Sequence, residues 1–203
     1  MGFDSRCPDD NTPIDIRVHT QRLTVRRRSE PILVAEVVEL LMKWSALDDA
    51  RLMLTCGLPG AGKTTLANAL AAERGAVRLT KDEWQWALGS TPWDRDIGER
   101  IEQQLWTLCQ DTLAVGLSVV LDFGLWARDG RDELRATARR IGVGVELHYL
   151  DVPVDELWRR LEERNSVPPW DAAPIARADL DEWSAAFEAP DAEELALYDS
   201  PLL

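Results

Sequence analysis

Residues 55 to 67 read TCGLPGAGKTTLA, and Gly57 to Thr64 within them match the spacing GxxxxGK[ST]. No other stretch constrains the fold as much, because a hydrophobic run, RLMLTC, precedes it and a helix-forming run follows it. Glycines at 57, 60 and 62 let backbone N–H groups converge on an anion, and the N-terminus of the following helix adds partial positive charge. The pattern predicts a phosphate-binding loop over Gly57, Leu58, Pro59, Gly60, Ala61, Gly62, Lys63, Thr64 and Thr65. Lys63 is expected to reach the β- and γ-phosphates of a nucleoside triphosphate, and the Thr64 hydroxyl to hold Mg²⁺. Where the terminal phosphoryl group goes is a question for the rest of the chain.

Downstream of the loop, apolar runs alternate with helical periodicity. RLMLTC, AVRLT, LSVVLDF and VGVELHYLDV read as strands. Between and after them, Gly62 to Glu73, Ile97 to Val115, Arg128 to Ile141 and Val154 to Arg164 read as helices. Such alternation predicts an α/β fold, a parallel sheet of about five strands flanked by helices on both faces. A fifth strand can come only from LALYDS near the C-terminus or from the N-terminal region. Residues 165 to 180, with Pro168, Pro169 and Pro174, read as a long loop after an arginine-bearing helix, so a lid is expected near residues 158–178.

Residues 1–50 are expected to be an extension and 51–203 the catalytic domain. In the extension, IDIRVHTQRLTVRRR alternates like a short hairpin, and Leu33, Val37, Leu41 and Trp44 recur at helical spacing over residues 31 to 47. A protein partner for this extension is conceivable, with no motif behind it.

At 203 residues and 45% hydrophobic content, the chain is long enough for one buried α/β core. Its formal net charge of −13 disfavours non-specific nucleic acid and anionic membranes as partners. The longest apolar stretch, PILVAEVVELLMKW, is interrupted by Glu36, Glu39 and Lys43, so no membrane span is expected. Cys7, Cys56 and Cys109 lack metal-ligand or CxxC spacing; a reducing, cytoplasmic setting is the simplest expectation. His19 and His148 have no partners at ligand spacing, and no zinc site is proposed.

Two common fates for the phosphoryl group find little support. A GTPase needs [NT]KxD late in the sheet, whereas TKDE at 80 to 83 comes early and carries Glu83 in place of the aspartate. Water-activating ATPases usually place a glutamate after the strand-end aspartate, and here Phe123 follows Asp122 in VVLDFG. Transfer to a bound acceptor therefore gains weight.

GLPGAGKTTLA, RLTKDEWQWALG, VVLDFGLWARDGRDELRATARRIGV, LHYLDVPVDELWRRLEERN and FEAPDAEEL occur in this order. Over roughly residues 51 to 195 they resemble the small P-loop kinases related to zeta toxin and chloramphenicol phosphotransferase, most closely the bacterial predicted-kinase branch. The resemblance implies ATP and Mg²⁺ as cofactors and a small-molecule hydroxyl as acceptor. It also implies that Asp82, just past the second strand, is the general base; an N-cap role, the plainer alternative, also fits its position. Arg160 and Arg164, four apart on one helical face, match the lid pair that neutralises the transferring phosphoryl group in those relatives; surface ion pairing is the plainer role.

Asp122, at a strand end, is open to three roles: Mg²⁺ ligand through water, acceptor contact or base, with a solvated carboxylate as the plain alternative. Nine tryptophans are unusual in a chain of this length, and Trp84, Trp86, Trp126 and Trp170 flank the expected site. Trp84 and Trp126 are candidate walls for a ring-bearing acceptor, and Arg128 can steady an acceptor or a phosphate or be a plain surface charge. A nucleotide-sugar kinase of the toxin type and a regulatory nucleotide-binding protein with slow ATPase activity remain as alternatives.

Overall fold

The computed structural model describes residues 15–19, 22–26, 50–91, 94–166 and 174–201. Chain contacts divide it into a unit over Met1–Met42 and a unit over Lys43–Leu203. In the first, β1 (Asp15–His19) and β2 (Arg22–Arg26) form an antiparallel hairpin in which Ile16 pairs with Val25 and Val18 with Leu23. The helix expected over residues 31 to 47 lies outside the described residues, as do Cys7 and Trp170.

The second unit is a P-loop α/β fold. β3 (Arg51–Cys56), β4 (Val77–Thr80), β5 (Val119–Gly124) and β6 (Gly144–Tyr149) form one parallel sheet in the order β4-β5-β3-β6. The helices are α1 (Lys63–Arg74), α2 (Lys81–Ala87), α3 (Arg95–Ala114), α4 (Arg128–Ile141), α5 (Val154–Ser166), α6 (Arg177–Ala186) and the single turn α7 (Ala192–Leu195). None of the described helices is long and apolar enough to cross a membrane.

Continuous apolar runs in β3 and β5 follow from burial on both faces, since successive side chains point to opposite sides. On one face Leu52, Leu54, Val119, Leu121 and Val145 pack with Ile101, Leu105, Cys109 and Leu113 of α3 and Ala138 of α4. On the other, Met53 and Val120 meet Ala67 and Leu70 of α1. A third cluster joins Leu58 and Ala61 of the loop to Leu157 and Leu161 of α5 and Leu180 of α6.

Four strands pair in this sheet among the described residues, not the five expected. LALYDS ends the turn α7 and then runs alongside β6, where Asp199 accepts from Val145 N–H at 2.6 Å and donates its own N–H to Val145 C=O at 2.8 Å. One residue makes the backbone contact, so no ladder forms. The proline-rich segment expected to hold only short turns is helical from Arg177 onward, where α6 begins. Helix α2 was also not foreseen as an element. Buried Gln85 anchors it, donating to the carbonyls of Thr91 and Asp94 at 3.0 and 3.2 Å beneath Gly98 of α3.

Candidate active site

The phosphate loop needs its glycines for two separate reasons. Gly57, Gly60 and Gly62 have φ of 147°, 85° and 98°, a region L side chains rarely enter. A Cβ on Gly57 would also lie 3.0 Å from Leu150 O, and one on Gly60 3.2 Å from Leu157 O. Helix α1 starts from Gly62 with no side-chain cap and no acidic residue in its first turn. Leu66 N–H is the first to find a carbonyl, on Gly62. The amides of Lys63, Thr64 and Thr65 thus keep their donors for an anion.

Lys63 Nζ donates to Leu58 C=O across the loop at 3.0 Å. Burial holds its ammonium below the usual lysine range, while Asp122 and Asp82, both within electrostatic reach, pull it upward. Thr64 and Thr65 are exposed in the first turn of α1.

Asp122 lies at an irregularity in the sheet. Leu54 pairs with Leu121 and Cys56 with Gly124, so Asp122 and Phe123 together face Thr55 alone. Such bulges re-aim side chains. The carboxylate is buried, with 3% of its side chain accessible, which overturns the plain solvated alternative. Oδ1 accepts from Thr55 Oγ1 at 3.2 Å; Oδ2 lies 3.6 Å from Arg78 Nη1 and has no hydrogen bond among the described residues.

Asp82 stands out by what surrounds it. In KDEWQ, Lys81 pairs with Glu102 at 3.0 Å, Glu83 takes a two-pronged bond from Arg78 at 2.5 and 2.6 Å, and Gln85 is spent on the α2–α3 turn. Asp82 has no hydrogen bond or ion pair to a described residue. The N-cap position belongs to Thr80, so the capping alternative for Asp82 is corrected: it is the second helical residue. Although its surface opens to solvent, protein atoms crowd the cleft and raise its carboxyl above the usual range. Lys81, Lys63 and Arg164 pull it down, and Asp122 raises it.

From α5, Arg164 reaches this group: burial lowers its guanidinium from the ordinary value, and Asp82 opposes that. Arg160 is held by Glu156 at 2.7 Å and approaches the carbonyls of Gly60 and Ala61 at 3.5 Å. Arg159 pairs with Glu156 and Glu163 instead. At the base of the proline-rich segment, Asn165 exchanges two hydrogen bonds with the backbone of Ile175, at 2.8 and 3.1 Å.

The remaining expected residues divide. Trp126 sits beside the loop, its Nε1 3.0 Å from where a Gly124 Cβ would be, and meets Trp183 edge-on at 5.8 Å. Trp84 and Trp86 are 43% and 52% exposed on α2. Arg128 is occupied by carboxylates: Asp132 at 3.8 Å and Asp191 at 3.6 Å, with its backbone N–H on Glu188 at 2.7 Å. His148 pairs with buried Glu146 at 3.0 Å.

Two features escaped sequence reasoning. One is a cavity of about 250 Å³ lined by Leu58, Tyr149, Leu150, Pro153, Leu157 and Phe187 among others, with Tyr149 stacked on Phe187 at 6.1 Å. The apolar run LHYLDVP was its one signal. The other is a buried bidentate pair, Arg131 with Glu194, at 2.6 and 2.8 Å. Its partners are 63 residues apart, and no spacing rule links them.

A model of the family described as AAA domain matches residues 52–190. Comparison with curated proteins returns no match. Among solved structures, the Pnkp1/Rnl/Hen1 RNA repair complex aligns with 68% of this chain at 18% identity and a TM-score of 0.59, and this chain spans 43% of the chain it matches. A putative kinase from Chloroflexus aurantiacus J-10-fl aligns at 22% identity and 0.55, covering 70% of this chain and 82% of the other. Kti12 from Chaetomium thermophilum in complex with ADP-AlF3 aligns at 19% identity and 0.54, covering 69% and 81%. At these identities the likeness is one of fold.

Proposed function

The chain belongs to the AAA domain family, and on that premise we propose that it is an ATP-dependent phosphotransferase that moves the γ-phosphoryl group to a hydroxyl of a small organic acceptor. The observation that carries this reading is the uncapped start of α1 behind three positive-φ glycines, where Lys63 bridges the loop to Leu58 C=O and lies within electrostatic reach of Asp82, Asp122 and Arg164. The KDEW and VVLDFG segments support a closer kinship with the zeta toxin and chloramphenicol phosphotransferase kinases.

Phosphoryl transfer asks mainly for alignment and charge neutralisation, because its transition state is loose. The amides of the loop bind the triphosphate, Lys63 exchanges Leu58 C=O for the β- and γ-phosphoryl oxygens, and Arg160 and Arg164 offset charge from the lid side. Thr64 and Asp122 suit a divalent cation: one offers an exposed hydroxyl, the other a buried carboxylate whose Oδ2 has no hydrogen bond among the described residues. Held there, Mg²⁺ would supply charge neutralisation for the phosphoryl groups. Asp82, with no hydrogen bond or ion pair among the described residues, receives the acceptor's proton. The cavity between Leu58 and Phe187 is the place for the nucleobase, with Tyr149 and Leu150 as its apolar wall.

The acceptor side is flanked by Trp126, which favours a ring-bearing alcohol. Incubating the protein with γ-labelled ATP and a panel of sugars, nucleosides and hydroxylated antibiotics tests the reading. Label in a small molecule supports it; label in free phosphate alone across the panel points to a slow ATPase and overturns it.

A further inference from the structure

We propose that Arg131 and Glu194 form a positioning pair that holds the phosphate loop and Lys63 in register from beneath, a role that rests on the nucleotide-binding reading above. The two side chains are 0% and 1% exposed and meet through two parallel hydrogen bonds, from Arg131 Nε and Nη2 to the two oxygens of Glu194. A buried ion pair is a poor source of stability, because both charges lose water and an apolar pair of like volume does as well. The geometry gives the pair another task. The guanidinium's third arm, Nη1, donates to Leu125 C=O at 2.9 Å.

Leu125 is the one non-glycine residue with positive φ among the described residues, at 47°. A leucine there is strained and persists only where its surroundings hold it. Its carbonyl also accepts from Cys56 Sγ at 3.4 Å, the last residue of β3 before the loop. One residue earlier, Gly124 C=O accepts from Gly57 N–H at 3.4 Å. The Gly124–Trp126 turn is therefore tied to the loop's first residue, and it is also the floor for Lys63, whose Cε lies 3.9 Å from the position of a Gly124 Cβ.

Glu194 arrives on a strap of C-terminal chain fastened along its length. Asp191 caps α7 by accepting from Glu194 N–H at 2.7 Å and pairs with Arg128. Glu188 N–H donates to Trp126 C=O at 3.0 Å, and its carboxylate takes Arg128 N–H. The strap thus grips the C-terminal end of the turn, at Trp126 and Arg128, while Arg131 holds Leu125 in its middle. Neither Arg131 nor Glu194 is among the residues that would touch nucleotide or acceptor.

The test separates positioning from stability. In Arg131→Met with Glu194→Leu both buried charges go, so the fold is kept, while the tether on Leu125 is lost. The expected result is a melting temperature at or above wild type together with ATP binding weakened by about tenfold or more, as for other supporting residues behind a ligand site. ATP affinity unchanged in a stable double variant overturns the proposal. Should the double variant fail to fold, Arg131→Lys decides by the same criterion, since it keeps the charge but cannot bridge Glu194 and Leu125 together. If the wild-type protein itself binds no ATP, the nucleotide reading fails, and this inference with it.

Discussion

Thr55 on β3 donates its hydroxyl to Oδ1 of Asp122 on β5 at 3.2 Å and so leaves Oδ2 as the oxygen without a hydrogen bond among the described residues. The bulge that sets two β5 residues against Thr55 is what turns the carboxylate toward it. Asp122→Asn keeps the shape and removes the charge. It is expected to raise the Mg²⁺ concentration needed for half-maximal activity by about tenfold or more. Metal-free nucleotide binding should change little. A Mg²⁺ titration of turnover checks this, and an unchanged requirement removes Asp122 from the cation site.

Asp82→Asn removes the proton acceptor and leaves the phosphate loop intact. ATP affinity is expected to stay within about threefold, while phosphoryl transfer falls by about 10²–10⁴, the range for loss of a general base. Equilibrium ATP binding and single-turnover transfer, measured side by side, separate the two. Full turnover in the variant would assign the base elsewhere.

The same substitution has a pH signature in stability. Burial raises the folded-state carboxyl of Asp82 above its unfolded value. The folded protein therefore works against ionising it at neutral pH, and that penalty shrinks as pH falls through the folded value and vanishes below the unfolded one. Asp82→Asn is accordingly expected to melt at or above the wild type at pH 7, with the difference shrinking toward pH 4. Activity of the wild type should rise with pH across that window, as the base deprotonates. Thermal melts of both proteins across the acid range would contradict the sign if the variant melted lower at pH 7.

Gly60 and Gly142 offer a controlled comparison, with φ of 85° and 93°. A Cβ on Gly142 meets nothing within 4 Å, whereas one on Gly60 meets Leu157 O and Leu161 Cγ at 3.2 Å. Gly142→Ala should cost about 1 kcal/mol from backbone strain alone. Gly60→Ala should cost about 1–3 kcal/mol and weaken ATP binding as well. Equal losses in denaturant melts would mean that α5 yields and the loop is not crowded.

Much of this molecule was legible along the chain because its chemistry is local. The strand, glycines and uncapped helix start from Arg51 to Thr65 are contiguous; continuous apolar runs mark β3 and β5, and 3.6 periodicity marks α3 and α4, within a residue or two. Asp82 was legible as a candidate from the KDEW segment. That it has no hydrogen bond or ion pair among the described residues was not, because Lys81, Glu83 and Gln85 are satisfied from Glu102, Arg78 and the Thr91–Asp94 turn. LALYDS was open as a source of a fifth strand because it is apolar and follows the last helix, but Asp199 alone meets β6.

By itself the amino-acid order determined a glycine loop from Gly57 running into an uncapped helix start on a parallel α/β scaffold, since glycine freedom and apolar periodicity act over a few neighbouring residues. Tertiary structure alone decided what surrounds Asp122 and what underlies Lys63. The strand order β4-β5-β3-β6 sets Arg78 and Thr55 on either side of Asp122, and chain closure over 63 residues brings Glu194 to Arg131. Charge pairing at such separations depends on which elements pack together, a choice made by the burial of the whole core and by no local pattern.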